Sequence, residues 1–272
     1  MKHTIIIGAP AKINVGLWVK HKRQDGFHEI SSLMQSISLD DTLTLKEVSE
    51  PGIKIYCDNP NVPTDETNLV YKAAKLFVDQ YEIDPALAIY IEKKIPIAAG
   101  LAGGSTDAAA TLIGLSRLYD RSVMFSDIME LASQIGSDVP FLLHGGLAIA
   151  TGRGERLSFY DSPRKAYTVV VVVPSNIGIS TKWAYDNYVP GDNETKARAF
   201  DKILTAYQSG DIRALKNLVF NDLESVTLPA TPEVGRIKQI LNSTGEGLVL
   251  MSGSGPAVFG LFDEKRKTYF DR

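Results

Sequence analysis

The segment that says most about chemistry is Pro96-Ile97-Ala98-Ala99-Gly100-Leu101-Ala102-Gly103-Gly104-Ser105-Thr106-Asp107. A strand pattern runs into it and an alanine run, Ala108–Ala110, runs out into a helical pattern. Small residues let a backbone pass close to a ligand without side-chain clash. The amide N–H groups of the first helical turn then converge on one spot. With the helix dipole they form an anion site, most often for phosphate. Ser105, Thr106 and Asp107 are expected to cap that helix. The loop is not a Walker A sequence, because no lysine follows Gly103-Gly104, and the spacing G-x-G-x-x-G is absent. A bare strand-to-helix turn packed by small residues is the alternative. Three glycines, two hydroxyls and an alanine-rich helix in one place favour phosphate.

Other residues gain meaning from that loop. Lys12 lies between apolar Ala11 and Ile13 at the start of a strand pattern, where one face should be buried; otherwise it is a strand-edge lysine in water. Asn14, two residues on, points to the same side. Asp138 follows a helical pattern and precedes Val139-Pro140, which restricts the backbone there. Taken alone it reads as a helix-end or turn aspartate. Ser252-Gly253-Ser254-Gly255-Pro256 lies between two apolar runs and taken alone reads as a hairpin turn. His3, His21 and His144 have no metal-ligand spacing, and Cys57 has no partner.

The elements that must position these residues follow from periodicity. Thr4–Ile7 and Ile13–Val19 read as strands parted by Gly8-Ala9-Pro10, and Met34–Leu39 and Thr42–Leu45 as strands flanking a turn-like Asp40-Asp41. Ile53–Tyr56 and Leu87–Ile91 are further strands, and Gly145–Ala150 another. Asn68–Tyr81, Ser105–Leu118 and Ser126–Ile135 have helical period. Composition shifts near Asp161-Ser162-Pro163-Arg164, which predicts two domains, 1–160 and 161–272. Beyond it, Val169–Val173 is five valines in a row, the pattern of a strand buried on both faces. Helices are expected at Glu194–Gln208, Asp211–Phe220 and Pro232–Asn242, and strands at Leu248–Met251 and Ala257–Phe262. Strands and helices mix without strict alternation, so the class is α+β.

The chain has 272 residues, 29 Lys+Arg against 32 Asp+Glu and a formal net charge of −3, with 44% hydrophobic residues. That is globular composition with room for a core and a cleft. A slightly acidic balance without a basic run argues against nucleic acid as the partner. One cysteine excludes an internal disulfide framework. No apolar run is long enough to span a membrane, so a soluble cytoplasmic protein is expected.

Taken in order, Pro10-Ala11-Lys12-Ile13-Asn14, Pro96–Ala110 and Ser252–Gly260 resemble the three motifs of the GHMP kinase superfamily, which includes galactokinase, homoserine kinase and mevalonate kinase. Arg23-Gln24-Asp25-Gly26-Phe27-His28 and Gly136-Ser137-Asp138-Val139-Pro140 narrow the resemblance. Within the superfamily, the chain is most similar to the kinases of 4-diphosphocytidyl-2-C-methyl-D-erythritol in non-mevalonate isoprenoid synthesis. The resemblance covers nearly the whole chain. It implies a two-lobed fold, with an N-terminal lobe like ribosomal protein S5 domain 2, a ferredoxin-like C-terminal lobe and a cleft between them.

The resemblance also implies roles. The stretch Pro96–Thr106 holds the triphosphate of ATP, and Asn68 and Lys93 lie near its adenine. Asp138 is the base that takes the acceptor hydroxyl's proton. Lys12 is its partner, since a nearby cation favours a charged carboxylate and stabilises the transferring group. Phe27 stacks on the cytosine ring and His28 hydrogen-bonds its edge, while Tyr185 covers the other face. Asn14 is a hydrogen-bonding neighbour of the acceptor. Mg2+ is implied by the charge of ATP, with Ser105, Thr106 and water as candidate ligands. Similar chains carry tyrosine where this one has Phe27. They also continue for a further helix and strand where this one stops at Arg272, so the C-terminal edge is expected to be truncated or closed differently.

Overall fold

The computed structural model describes residues 3–119, 123–175, 177–191, 193–245 and 247–263. The described chain is α+β, as expected, and divides into two compact units. The first comprises the residues up to Lys12, Ser36–Ile97 and Ala102–Gly145. The second comprises Ile13–Gln35, Ala98–Leu101 and the residues from Gly146 onward. This partition differs from the expected division at 160/161. The composition shift there marks only the approach to a strand, whereas two long strands near the N-terminus supply residues to both units.

Those strands are β1 (Thr4–Lys22) and β2 (His28–Glu47). Each unites two segments expected to be separate. Pro10 is accommodated inside β1, as a proline can be where the ladder does not need its N–H. Asp41 is not a turn residue. It is completely buried, and its carboxylate accepts the main-chain N–H groups of Lys94 and Ile95 at 2.5 and 2.8 Å. A partner more than fifty residues away leaves no mark on local periodicity.

In the first unit, β2 pairs antiparallel with β4 (Ala86–Glu92) in the register Thr42↔Glu92, and β4 pairs parallel with β3 (Gly52–Cys57). Helices α1 (Leu69–Gln80), α2 (Gly103–Leu118), α3 (Phe125–Ile135) and α4 (Val139–His144) pack on one another. Leu43, Leu45, Phe77, Leu87 and Leu112 are fully buried there. Asn68 caps α1, its side chain accepting the N–H of Val70 at 2.8 Å.

In the second unit, β2 pairs through Ile30–Gln35 with β5 (Leu147–Gly152), which pairs with β6 (Arg156–Tyr160). A three-stranded antiparallel sheet has the order β7 (Tyr167–Val172), β9 (Val258–Asp263), β8 (Leu248–Met251). Around it lie α5 (Thr181–Asp186), α6 (Asn193–Ser209), α7 (Ile212–Leu218), α8 (Glu224–Ala230) and α9 (Pro232–Ser243). The valine run is only half-buried, because β7 is at the edge of this described sheet rather than in its middle. Leu17, Val19, Ile179, Leu223, Val249, Met251 and Val258 belong to one core cluster. The residues beyond Asp263, where a different C-terminal edge was expected, lie outside the described residues.

Candidate active site

In the first unit, Lys12 is 4% exposed on β1. Its Nζ lies 3.7 Å from Oδ2 of Asp138, whose side chain is one-third exposed. Asp138 occupies the N-cap position of α4, yet its side chain does not cap the helix. The carboxylate is turned to the lysine instead. An ammonium held in the protein beside a part-exposed carboxylate is an arrangement suited to moving a proton and stabilising anionic charge.

Helix α2 starts two residues earlier than expected, at Gly103. Its N-cap is Ala102, left-handed at φ 60°, and no side chain caps the helix. Ser105, Thr106 and Asp107 are therefore not caps but lie inside the first turns. Without a capping side chain, the first-turn amides are set for an anion. Thr106 donates its hydroxyl to the carbonyl of Pro10 at 2.8 Å, tying the first turn of α2 to β1 two residues before Lys12. Since α2 also packs against α4, the uncapped start of α2, Lys12 and Asp138 are built from three neighbouring elements of one unit.

Asp107 and Lys93 belong to one buried cluster. Lys93, expected near adenine, is closed in, 4% exposed, between the carboxylates of Asp41 and Asp107. Its Nζ donates to Asp107 at 2.8 Å and also to Asp41. Burial opposes the charge on Lys93, but Asp107 and Asp41 outweigh it and hold the ammonium above the ordinary lysine range. Burial pushes the Asp107 carboxyl up to about 7 against the pull of Lys93. Its Oδ1 is buried without a hydrogen-bond partner. A methyl group on Gly103 would lie 3.2 Å from Lys93 Nζ, so this cluster sits directly under the first residue of α2. Asn68, also expected near adenine, spends its side chain on Val70 and on the carbonyl of Pro63.

The second unit holds the other half of the small-residue loop. Ala98 and Gly100 have φ of 52° and 78°, and Ala99 and Leu101 are buried. The Ala99 carbonyl accepts the N–H of Ala257, and the Gly100 carbonyl accepts the Ser252 hydroxyl at 3.0 Å. The same Ser252 Oγ accepts the N–H of Asn14 at 3.3 Å. The side chain of Asn14 donates to Ser32 Oγ at 2.7 Å. The Ser252–Gly255 turn is thus a packing partner of Gly100 and Asn14, not an isolated hairpin.

His28 is buried, and its ring centroid lies 5.5 Å from that of Tyr185, tilted by 34°. Burial, and next the charge of Lys22, hold the imidazole below the ordinary histidine range. This favours the neutral ring, which can both donate and accept. Phe27 is 52% exposed, and the Arg153 guanidinium carbon lies 5.2 Å from its ring centroid. Tyr185 therefore faces His28, while Arg153 takes one side of Phe27. Sequence reasoning missed Arg153, which sits in the β5–β6 turn and carries no motif. Among the described residues, no group of three or more His, Cys, Asp or Glu is arranged to hold a metal ion. No described helix is long and apolar enough to cross a membrane.

Comparison with known proteins identifies the family. Residues 68–146 match the family described as GHMP kinases N terminal domain, and residues 199–268 match GHMP kinases C terminal. The chain is 45% identical over 257 residues to the 4-diphosphocytidyl-2-C-methyl-D-erythritol kinase of Bacillus cytotoxicus, covering 94% of this chain and 88% of that one. The kinase of the same name from Bacillus cereus matches equally well. Among solved structures, a 4-(cytidine 5'-diphospho)-2C-methyl-D-erythritol kinase superposes with a TM-score of 0.75 at 35% identity, covering 94% of this chain and 90% of that one. A homoserine kinase from Cytophaga hutchinsonii shares the fold, with a TM-score of 0.75 at 20% identity, over 96% and 86% of the two chains. The chain belongs to the GHMP kinases and, within them, to the family of the 4-diphosphocytidyl-2-C-methyl-D-erythritol kinases.

Proposed function

We propose that this protein transfers the γ-phosphoryl group of ATP to the 2-hydroxyl of 4-diphosphocytidyl-2-C-methyl-D-erythritol, a step toward isoprenoid precursors. The observation that carries the reading is the Lys12–Asp138 pair, 3.7 Å apart, in the unit that also holds the uncapped end of α2. The names of the relatives supply the acceptor.

In this mechanism the main-chain amides at the start of α2, flanked by Gly103 and Gly104, hold the β- and γ-phosphates of ATP. Asp138 accepts the proton of the acceptor hydroxyl as its oxygen attacks the γ-phosphorus, and ADP leaves. Lys12 stabilises the charge on the group in transit. Mg2+, when bound with ATP, neutralises phosphate charge. Hydroxyls at Ser105 and Thr106 fit a phosphate-bound hard cation, although Thr106 already donates to Pro10. Phe27, His28, Tyr185 and Asn14 are proposed to bind the cytidine acceptor, with the neutral His28 ring reading the cytosine edge. We place the reaction in the cytoplasm.

The test is ADP release from ATP with Mg2+, measured with the cytidine acceptor, then with homoserine, then with mevalonate. Turnover with the cytidine acceptor alone is expected. Turnover with homoserine or mevalonate instead would move the chain to another activity of the same superfamily, and turnover with none would refute the kinase reading.

A further inference from the structure

We propose that Asn221 is a positioning residue for the candidate site: its side-chain amide sets the Ser252–Gly255 turn and, through it, the placement of Gly100 and Asn14. The inference rests on the kinase reading only for what Gly100 and Asn14 touch.

Asn221 is 4% exposed in the segment between α7 and α8. Its Nδ2 donates to the carbonyls of Met251 and Gly253 at 2.8 and 2.7 Å. Its Oδ1 accepts the N–H of Leu223 at 3.0 Å. One amide thus grips the turn at the end of β8 and again two residues later. The turn then makes its own contacts. Ser252 holds the Gly100 carbonyl and the Asn14 N–H. A Cβ on Gly253 would lie 3.3 Å from Asn14 Oδ1, so little space separates the turn from that side chain. Thr227 donates to the Ser254 carbonyl at 3.1 Å, a second anchor. Both amide donors of Asn221 go to the end of β8 and its turn while its oxygen is held by Leu223 in its own segment, so the buried side chain ties the two segments together.

The adjacent residue provides the comparison. Asp222 is also buried, but its carboxylate accepts the Val19 N–H and the Tyr188 hydroxyl, both at 2.9 Å, and Lys196 Nζ at 2.7 Å. Those contacts hold β1 and neighbouring helices, and none of them reaches the turn.

The experiment compares Asn221→Leu with Asp222→Asn in the full chain. Peptide-resolved amide hydrogen exchange reads residues 252–257, and calorimetry reads affinity for the magnesium salt of a non-hydrolysable ATP analogue. Asn221→Leu is expected to speed exchange in the turn at least tenfold while β9 stays protected. It is expected to weaken the analogue at least tenfold and to raise KM for ATP more than it lowers kcat. Asp222→Asn is expected to lower Tm by a similar amount but to leave turn exchange and analogue affinity within twofold of wild type. Should the leucine variant fail to fold, Asn221→Asp, which keeps the size but loses both donors, takes its place with the same expectation. Wild-type exchange and affinity in the Asn221 variant, or equal losses in both variants, would overturn the proposal. If the wild-type protein binds no ATP analogue, the kinase reading fails, and the exchange comparison still decides whether Asn221 sets the turn.

Discussion

Replacing Gly100 by alanine tests how the small-residue loop is held. Gly100 has φ of 78°, where an L-residue costs about 1–2 kcal/mol. The new Cβ would lie 2.2 Å from the Ser252 carbonyl oxygen and 3.2 Å from the Gly255 nitrogen. Both are backbone atoms, so no side-chain rotation relieves the overlap, and forced displacement of packed atoms costs about 1–3 kcal/mol. Moving the turn also loses the Ser252 hydrogen bond to Gly100, worth about 1 kcal/mol. The combined penalty is about 3–6 kcal/mol, which for a chain of this size is a fall in Tm of roughly 10 °C. Gly104→Ala is the contrast. Gly104 lies inside α2, and a Cβ there meets only Leu69 Cδ1 at an ordinary 3.7 Å. Alanine in a helix should hold stability or raise it by about 0.5–1 kcal/mol. Thermal unfolding with calorimetric titration of an ATP analogue separates the two glycines. Gly100→Ala is expected to lose stability. Gly104→Ala is expected to lose ATP affinity alone, since its Cβ enters space proposed for phosphate. A Gly100→Ala protein with wild-type Tm and wild-type ATP affinity would refute the reasoning.

The buried cluster gives a second prediction. Lys93→Met leaves the Asp41 and Asp107 carboxylates without their cation and should cost about 3–5 kcal/mol in urea unfolding, part of which Asp107→Asn restores in the double variant. Because burial places the Asp107 carboxyl near 7, above its unfolded value, the folded state holds the extra proton between about pH 4 and 7. Its contribution to stability therefore falls as pH rises through that window, by up to about 1.4 kcal/mol per pH unit, and Asp107→Asn should flatten that slope. Acceptor selectivity tests the edge role of His28: a cytidine-based acceptor should be used well and a uridine-based one poorly, and equal kcat/KM for the two would remove it.

Much of this was legible from residue order. The loop Pro96–Thr106 and Lys12 stand out because small residues before an alanine-rich helix, and a lysine among apolar neighbours, are unusual within a few positions of chain, whereas Asp138 gains meaning only from the resemblance of the motif around it. Helix α1 was legible to within one residue at each end, since the helical period over Asn68–Tyr81 answers to Leu69–Gln80. What was not legible depends on distant partners. Asp41 looks like a turn residue until Lys93, Lys94 and Ile95 arrive. Asp107 looks like a cap but is drawn inward by Lys93. Asn221 has no motif at all, and its meaning comes from carbonyls 30 and 32 residues away. The continuity of β1 through Gly8-Ala9-Pro10 was hidden because breaker residues report local preference, and pairing with β2 overrides it.

The account rests on the carboxylate beside Lys12 taking the hydroxyl proton. The most direct measurement is kcat for phosphoryl transfer from ATP to the cytidine acceptor by Asp138→Asn, with ATP-analogue affinity measured on the same protein. The account predicts a fall in kcat of about 10²–10⁴-fold with the affinity within a few-fold of wild type. A kcat near that of the wild-type protein would contradict it.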